Sequence, residues 1–259
     1  MALVVDPVRS RKGLMNSNPQ LLPVVAILFV STLTRSTLGF GDALIAMPLL
    51  VITISVQTAT PLVALMGFTS AITILSRNWR DVDIKAAWRL IVSSLVGIPV
   101  GILLLRDAPE HVIKAILGAV LVLFGLYNLI TPRLPTLRRQ GLAYVFGFVS
   151  GILGGAYNTN GPPIVIYGAL RRWPPERFRA TLQGYFFPSG ILLLLGHSLA
   201  GSLTREVLRF YGYSLPCMLL AILLGSKFNE AIPSGPFERF VHVFLVLIGV
   251  VLLFSLTSA

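Results

Sequence analysis

Apolar runs fill the chain from Leu21 to its last residues, interrupted by short polar stretches. Six runs, 58–76, 84–105, 112–130, 178–197, 207–225 and 237–256, come close to the ~20 residues that a helix needs to cross a bilayer. Four others, 21–34, 43–56, 142–156 and 162–170, are too short, since at ~1.5 Å per residue even the longer ones reach only a little over 20 Å. These short runs come in two pairs, each flanking a polar break that contains glycine. The first break reads Ser31-Thr-Leu-Thr-Arg-Ser-Thr-Leu-Gly-Phe-Gly-Asp42 and the second Gly154-Gly-Ala-Tyr-Asn-Thr-Asn-Gly-Pro-Pro163. A pair of this kind is either one interrupted helix or a hairpin that enters the membrane and returns. Non-helical backbone cannot face lipid, so both breaks belong inside protein or beside water.

Composition excludes a soluble globule: 55% of the residues are hydrophobic and 12% charged, with a mean hydropathy of +0.82. The 21 Lys and Arg against 10 Asp and Glu give a net charge of +11, but the basic residues sit in the connections between apolar runs. They report topology and not a nucleic-acid footprint. If both short pairs are hairpins, the clusters Arg77 to Arg89, Arg133 to Arg139 and Arg171 to Arg179 share the inner side, the distribution that the positive-inside rule favours. The single Cys217 and the scattered histidines offer no metal or disulfide framework, and no cofactor is expected. His197 and His242 read as satisfied packing histidines. The first twenty residues lack a cleavable signal pattern. The expected home is a bacterial or archaeal cytoplasmic membrane, crossed several times.

Sliding the chain along itself lays Leu38, Gly39 and Pro48 on Leu153, Gly154 and Pro163. With a hairpin and three spans in each half, the halves have opposite orientations. The fold expected is therefore all-α and polytopic, with two inverted repeats of a broken-helix hairpin plus three transmembrane helices. Its parts are an N-terminal segment 1–20, repeat one 21–131, a basic linker 132–140 and repeat two 141–259.

The chemistry concentrates at the breaks. Helix restarts near Asp42 and Asn160 direct backbone N–H groups and positive dipole ends to one space, a setting that binds anions. Arg35 either clamps an oxyanion through its forked donors, pairs with Asp42, or reaches toward the membrane surface. Asp42 either caps a helix or carries a coupled proton. Asn158, Thr159 and Asn160 supply hydrogen-bonding groups, Gly39, Gly41 and Gly161 bring backbone close, and Asn160 suits an N-cap ahead of Pro162 and Pro163. Gly147, Gly151 and Gly155 lie on one helical face and Gly97 and Gly101 repeat that spacing, the pattern of close helix contact. Pro99, Pro188 and Pro216 should kink their spans.

Gly39-Phe-Gly-Asp-Ala-Leu-Ile-Ala-Met-Pro-Leu-Leu50, then Gly151-Ile-Leu-Gly-Gly-Ala-Tyr-Asn-Thr-Asn-Gly-Pro-Pro163, with Val82-Asp83 between them, resembles the TauE/SafE sulfite exporter family along essentially the whole chain. The resemblance implies a permease for small sulfur-containing anions such as sulfite, sulfoacetate or thiosulfate. Asp42 departs from it, since a small residue is usual there, and an added carboxylate would repel a dianion unless it is protonated or paired with Arg35. The expected activity is thus secondary anion transport by alternating access, with a small anionic substrate, the lipid bilayer and a coupling ion (a proton or sodium) as partners. The oligomeric state stays open. The alternatives are an anion channel and a membrane-embedded enzyme or assembly factor.

Overall fold

The computed structural model describes residues 19–107, 109–130, 137 and 139–231, together with 243, 246, 247, 249, 250, 253 and 254. Most of the expected 237–256 span, the 132–140 linker and the 1–20 segment, with His242, lie outside these. Regular structure among the described residues is helical: α1 Leu21–Leu38, α2 Asp42–Thr53, α3 Val56–Asn78, a 3₁₀ turn Trp79–Asp81, α4 Ile84–Asp107, α5 Glu110–Ile130, α6 Leu142–Tyr157, α7 Gly161–Leu170, α8 Pro175–Leu199 and α9 Arg205–Ala231. Stretches long and apolar enough to cross a membrane occur in α1, α3, α4 and α9. Val96, Leu103, Val145, Leu220 and Leu223 stay exposed on the outer faces of α4, α6 and α9, surface that lipid would cover. The chain is a polytopic helical membrane protein.

The first break is shorter than its polarity implied. Residues 31–37 stay helical and α1 runs to Leu38, 18 residues or about 27 Å, so it is no half-span. Hydroxyls can bond back to their own helix. Thr34 Oγ1 donates to Val30 O at 3.0 Å and Thr37 Oγ1 to Leu33 O at 2.9 Å, while Ser36 Oγ donates to Ile222 O of α9 at 2.7 Å. The interruption contracts to Gly39-Phe40-Gly41. The second break likewise narrows to Asn158-Thr159-Asn160, because α6 continues through Tyr157.

Hydrogen bonds place the ends of these pairs. Leu137, which precedes α6, donates its N–H to Leu170 O at the end of α7 at 2.9 Å, so the α6–α7 pair leaves and returns to one end of the molecule. The start of α8 lies at that end too, where Arg177 forms an ion pair with Asp83 and Thr181 Oγ1 accepts from Asp83 N. The basic stretches 77–89 and 171–179 thus flank one end, as the hairpin topology requires. Leu21 shares a pocket with Arg205, Glu206 and Phe210 at the start of α9, which puts the start of α1 at the other end.

The helices pack as α4 on α6, α1 on α9, α3 on α8, α4 on α8 and α3 on α9. Exchanging α1–α4 for α6–α9 leaves that set of neighbours unchanged. The glycine face does what its spacing indicated. A Cβ at Gly97 would meet Phe148 O, one at Gly101 would meet Ile152 O, and one at Gly151 would come within 2.8 Å of Ser94 O, so α4 and α6 touch backbone to backbone. Gly225 plays the same part at the α1–α9 contact, 2.9 Å from Leu33 O.

Candidate functional site

Both turns end a helix in the left-handed region. Gly39 closes α1 at φ 87° and donates its N–H to Arg35 O at 2.6 Å; Gly41 follows at φ 96°. Asn158 closes α6 at φ 55° and donates its N–H to Gly154 O at 2.8 Å, asparagine being the side chain that best tolerates this conformation after glycine. Gly41 and Asn160 occupy the N-cap positions of α2 and α7, and neither start has a side-chain cap. Asn160 therefore stands where a cap was expected without acting as one; its carbonyl instead accepts from Ser150 Oγ at 2.5 Å. Asp42 is the first residue of α2 and does not cap it either, because its carboxylate is drawn to Arg35.

Arg35 is 3% exposed, and burial of a charge at membrane depth demands partners. Its Nη1 donates to Asp42 Oδ2 at 2.7 Å and its Nη2 to Gln183 Oε1 of α8 at 2.9 Å. The guanidinium lies over the Phe186 ring, 4.7 Å from its centroid, and Nε finds no partner among the described residues. Gln183 in turn donates Nε2 to Gly39 O at 2.7 Å, so one side chain secures both the arginine and the turn behind it. On the other turn, Asn158 Nδ2 donates to Thr60 O of α3 at 2.5 Å.

The two turns meet. Arg35, Asp42 and Ala43 from the first pair and Asn158 and Asn160 from the second line one cavity of about 30 Å³, closed by Val63, Ala64, Gly67 and Phe68 of α3 and Phe186, Gly190 and Leu193 of α8. Gly39, Gly41, Thr159 and Gly161 are not among its lining residues. Gly39 serves through its carbonyl, Gly161 faces Phe186 Cζ at 3.9 Å from its would-be Cβ, and Thr159 is buried with Oγ1 unpartnered among the described residues.

Gln183, Phe186 and Tyr185 escaped the sequence reading. Tyr185 Oη is bonded to Ser94 Oγ at 2.7 Å and Ser150 Oγ at 2.8 Å, tying α8 to α4 and α6 beneath the second turn. A lone amide in the apolar 178–197 run was the available signal for Gln183. His197 is buried, yet its Nε2 has no partner among the described residues, so it is not the satisfied histidine expected.

Helices apolar enough to cross a membrane, with two turns meeting at a cavity that holds an ion pair and two asparagines, have the form of a multi-pass membrane protein. The family model for sulfite exporter TauE/SafE matches residues 24–252, and the chain belongs to that family, which is one of transporters and not of enzymes. The chain is also 25% identical over 246 residues to the probable sulfite/organosulfonate exporter TauE of Cupriavidus necator, covering 92% of this chain and 96% of that protein. No solved structure matches.

Proposed function

We propose that this protein carries small sulfur-containing oxyanions or organosulfonates across the membrane by alternating access, binding them between the two turns. The observation that carries this reading is the single cavity into which a buried arginine from one turn and the Asn158 and Asn160 residues from the other are directed. Arg35 supplies charge, the asparagine amides supply neutral donors, and the starts of α2 and α7 add the partial positive charge of helix ends. The relative's name, sulfite/organosulfonate exporter, supports the substrate class.

The neighbour set that survives exchange of halves, and pairs whose ends lie at opposite faces, support the inverted duplication 21–131 and 141–259. Helix starts correspond at Asp42 with Gly161 and Val56 with Pro175, about one helical turn beyond the register that laid Gly39 on Gly154. In that register Gly39 matches Asn158, the two left-handed caps. At ~10–15 Å³ per water, a cavity of about 30 Å³ holds about two waters, so admitting a sulfonate requires α3 and α8, one from each half, to part. Rocking one half on the other opens the space to one side at a time. Coupling through a proton or sodium belongs to the same cycle.

Flux in liposomes tests this. Wild type should show saturable movement of methanesulfonate or sulfite with counterflow, and Arg35→Ala should lose it. Unchanged affinity in Arg35→Ala removes Arg35 from the site, and conductance far above carrier rates replaces the carrier with a channel.

A further inference from the structure

Of the residues lining the central cavity, Arg35 and Asp42 are the charged ones, and they are ion-paired at 2.7 Å with both side chains under a tenth exposed. Arg179 packs its stem against Gly39, Cγ 3.2 Å from the would-be Cβ, but is not among the lining residues. Among the described residues the lining is therefore formally neutral: one guanidinium, one carboxylate, two asparagines and the start of α2, with the N-cap residue of α7 beside them. The Asp42 carboxylate takes one N–H of Nη1 and Gln183 one of Nη2, which leaves the guanidinium three further N–H donors, of which the one on Nε has no partner among the described residues. The remaining wall is apolar, with Val63, Phe68, Phe186 and Leu193 around the polar groups.

We infer that the Arg35–Asp42 pair makes this a site for singly charged sulfonates, with Asp42 as the residue that excludes doubly charged oxyanions. The inference rests on the transport function proposed above and narrows its substrate class. A monoanion brought to Arg35 leaves a site with one net negative charge, offset by helix ends and amides. A dianion leaves two, beside an Asp42 carboxylate that is itself buried and a hydrogen-bond length from the cation, where charge is screened less than at the surface. The apolar wall suits the carbon substituent of R–SO₃⁻ and offers nothing to a fourth charged oxygen. Size does not enter, because methanesulfonate and sulfate are both tetrahedral and nearly equal in volume.

That near-isosteric pair is the test. Methanesulfonate and sulfate flux are measured in proteoliposomes holding the full chain as wild type, Asp42→Asn and Gln183→Glu. Wild type should prefer methanesulfonate. Asp42→Asn, which keeps an amide oxygen for Arg35 and drops the charge, should raise the sulfate-to-methanesulfonate ratio by about tenfold or more. Gln183→Glu sets a second carboxylate on Arg35 and should depress both fluxes, sulfate the more. A wild type that moves sulfate as well as methanesulfonate, or an unchanged ratio in monodisperse Asp42→Asn, overturns the inference while leaving transport intact. If Asp42→Asn does not fold, Gln183→Glu decides alone, and equal depression of both anions overturns it. Wild type that moves neither these anions nor sulfite sinks the transport function itself, a distinct result.

Discussion

Asn158, in the turn of one half, donates its side-chain amide to Thr60 O in α3 of the other half, at 2.5 Å. The reciprocal contact is Gln183 Nε2 to Gly39 O at 2.7 Å, again from a long helix of one half to the turn of the other. Each interruption is thus held in place by the opposite half, so any movement between halves is felt at both turns.

Replacing Asn158 separates backbone from side chain. Asn158→Gly keeps the left-handed φ of 55° without strain and loses the bond to Thr60, for a cost of about 0.5–1.5 kcal/mol. Asn158→Ala loses the same bond and adds a further ~1–2 kcal/mol of left-handed strain. Thermal unfolding in detergent should order the three proteins wild type, Gly, Ala; equal losses in both variants would deny the backbone contribution.

Removing one member of the Arg35–Asp42 pair leaves the other a buried charge without its counter-ion. Arg35→Ala should destabilise by about 3–5 kcal/mol, whereas the double variant Arg35→Ala, Asp42→Ala should recover much of that loss and still transport nothing. Melting and flux measured together check it, and a double variant no more stable than the single would show that the charges are not coupled.

Gly67 offers a way to block the cavity without harming the fold. Its would-be Cβ lies 3.6 Å from Arg35 Nη1 and 3.9 Å from Asp42 Oδ2, ordinary contact distances. Gly67→Ala should melt like wild type and lose most anion flux, because the methyl group occupies space the cavity of about 30 Å³ cannot spare. Normal flux in that variant would place the path elsewhere.

At the α4–α6 contact the cost is steric. Gly151→Ala pushes a methyl group to 2.8 Å from Ser94 O and should destabilise by about 1–3 kcal/mol, while Gly141→Ala, with nothing within 4 Å, should leave stability unchanged. Equal melting of the two variants would mean that the helices are free to separate.

What could be read from the chain followed from properties that act locally. Apolar runs announce membrane helices, glycines four apart announce a close interface, and Gly39, Gly41 and the Asn158–Asn160 stretch announce turns. What could not be read depended on partners far along the chain. The Ser31–Thr37 stretch looked like a break because hydroxyls are polar, but Thr34 and Thr37 return their protons to carbonyls one turn back and cost the helix little. Gln183 acquires its role from Gly39 and Arg35, more than a hundred residues away, which no local pattern encodes. The proposed duplication takes a register one helical turn beyond the one that lays Gly39 on Gly154, because Gly154 lies inside α6 and Asn158 closes that helix as Gly39 closes α1.

The most direct measurement of the central claim is a double-mutant cycle on methanesulfonate affinity in detergent, using Arg35→Lys and Asn158→Ser singly and together. A shared site predicts that each single change weakens binding and that the two are non-additive, with a coupling of about 0.5–3 kcal/mol. Wild-type affinity in either single variant would show that the two turns do not hold one anion between them.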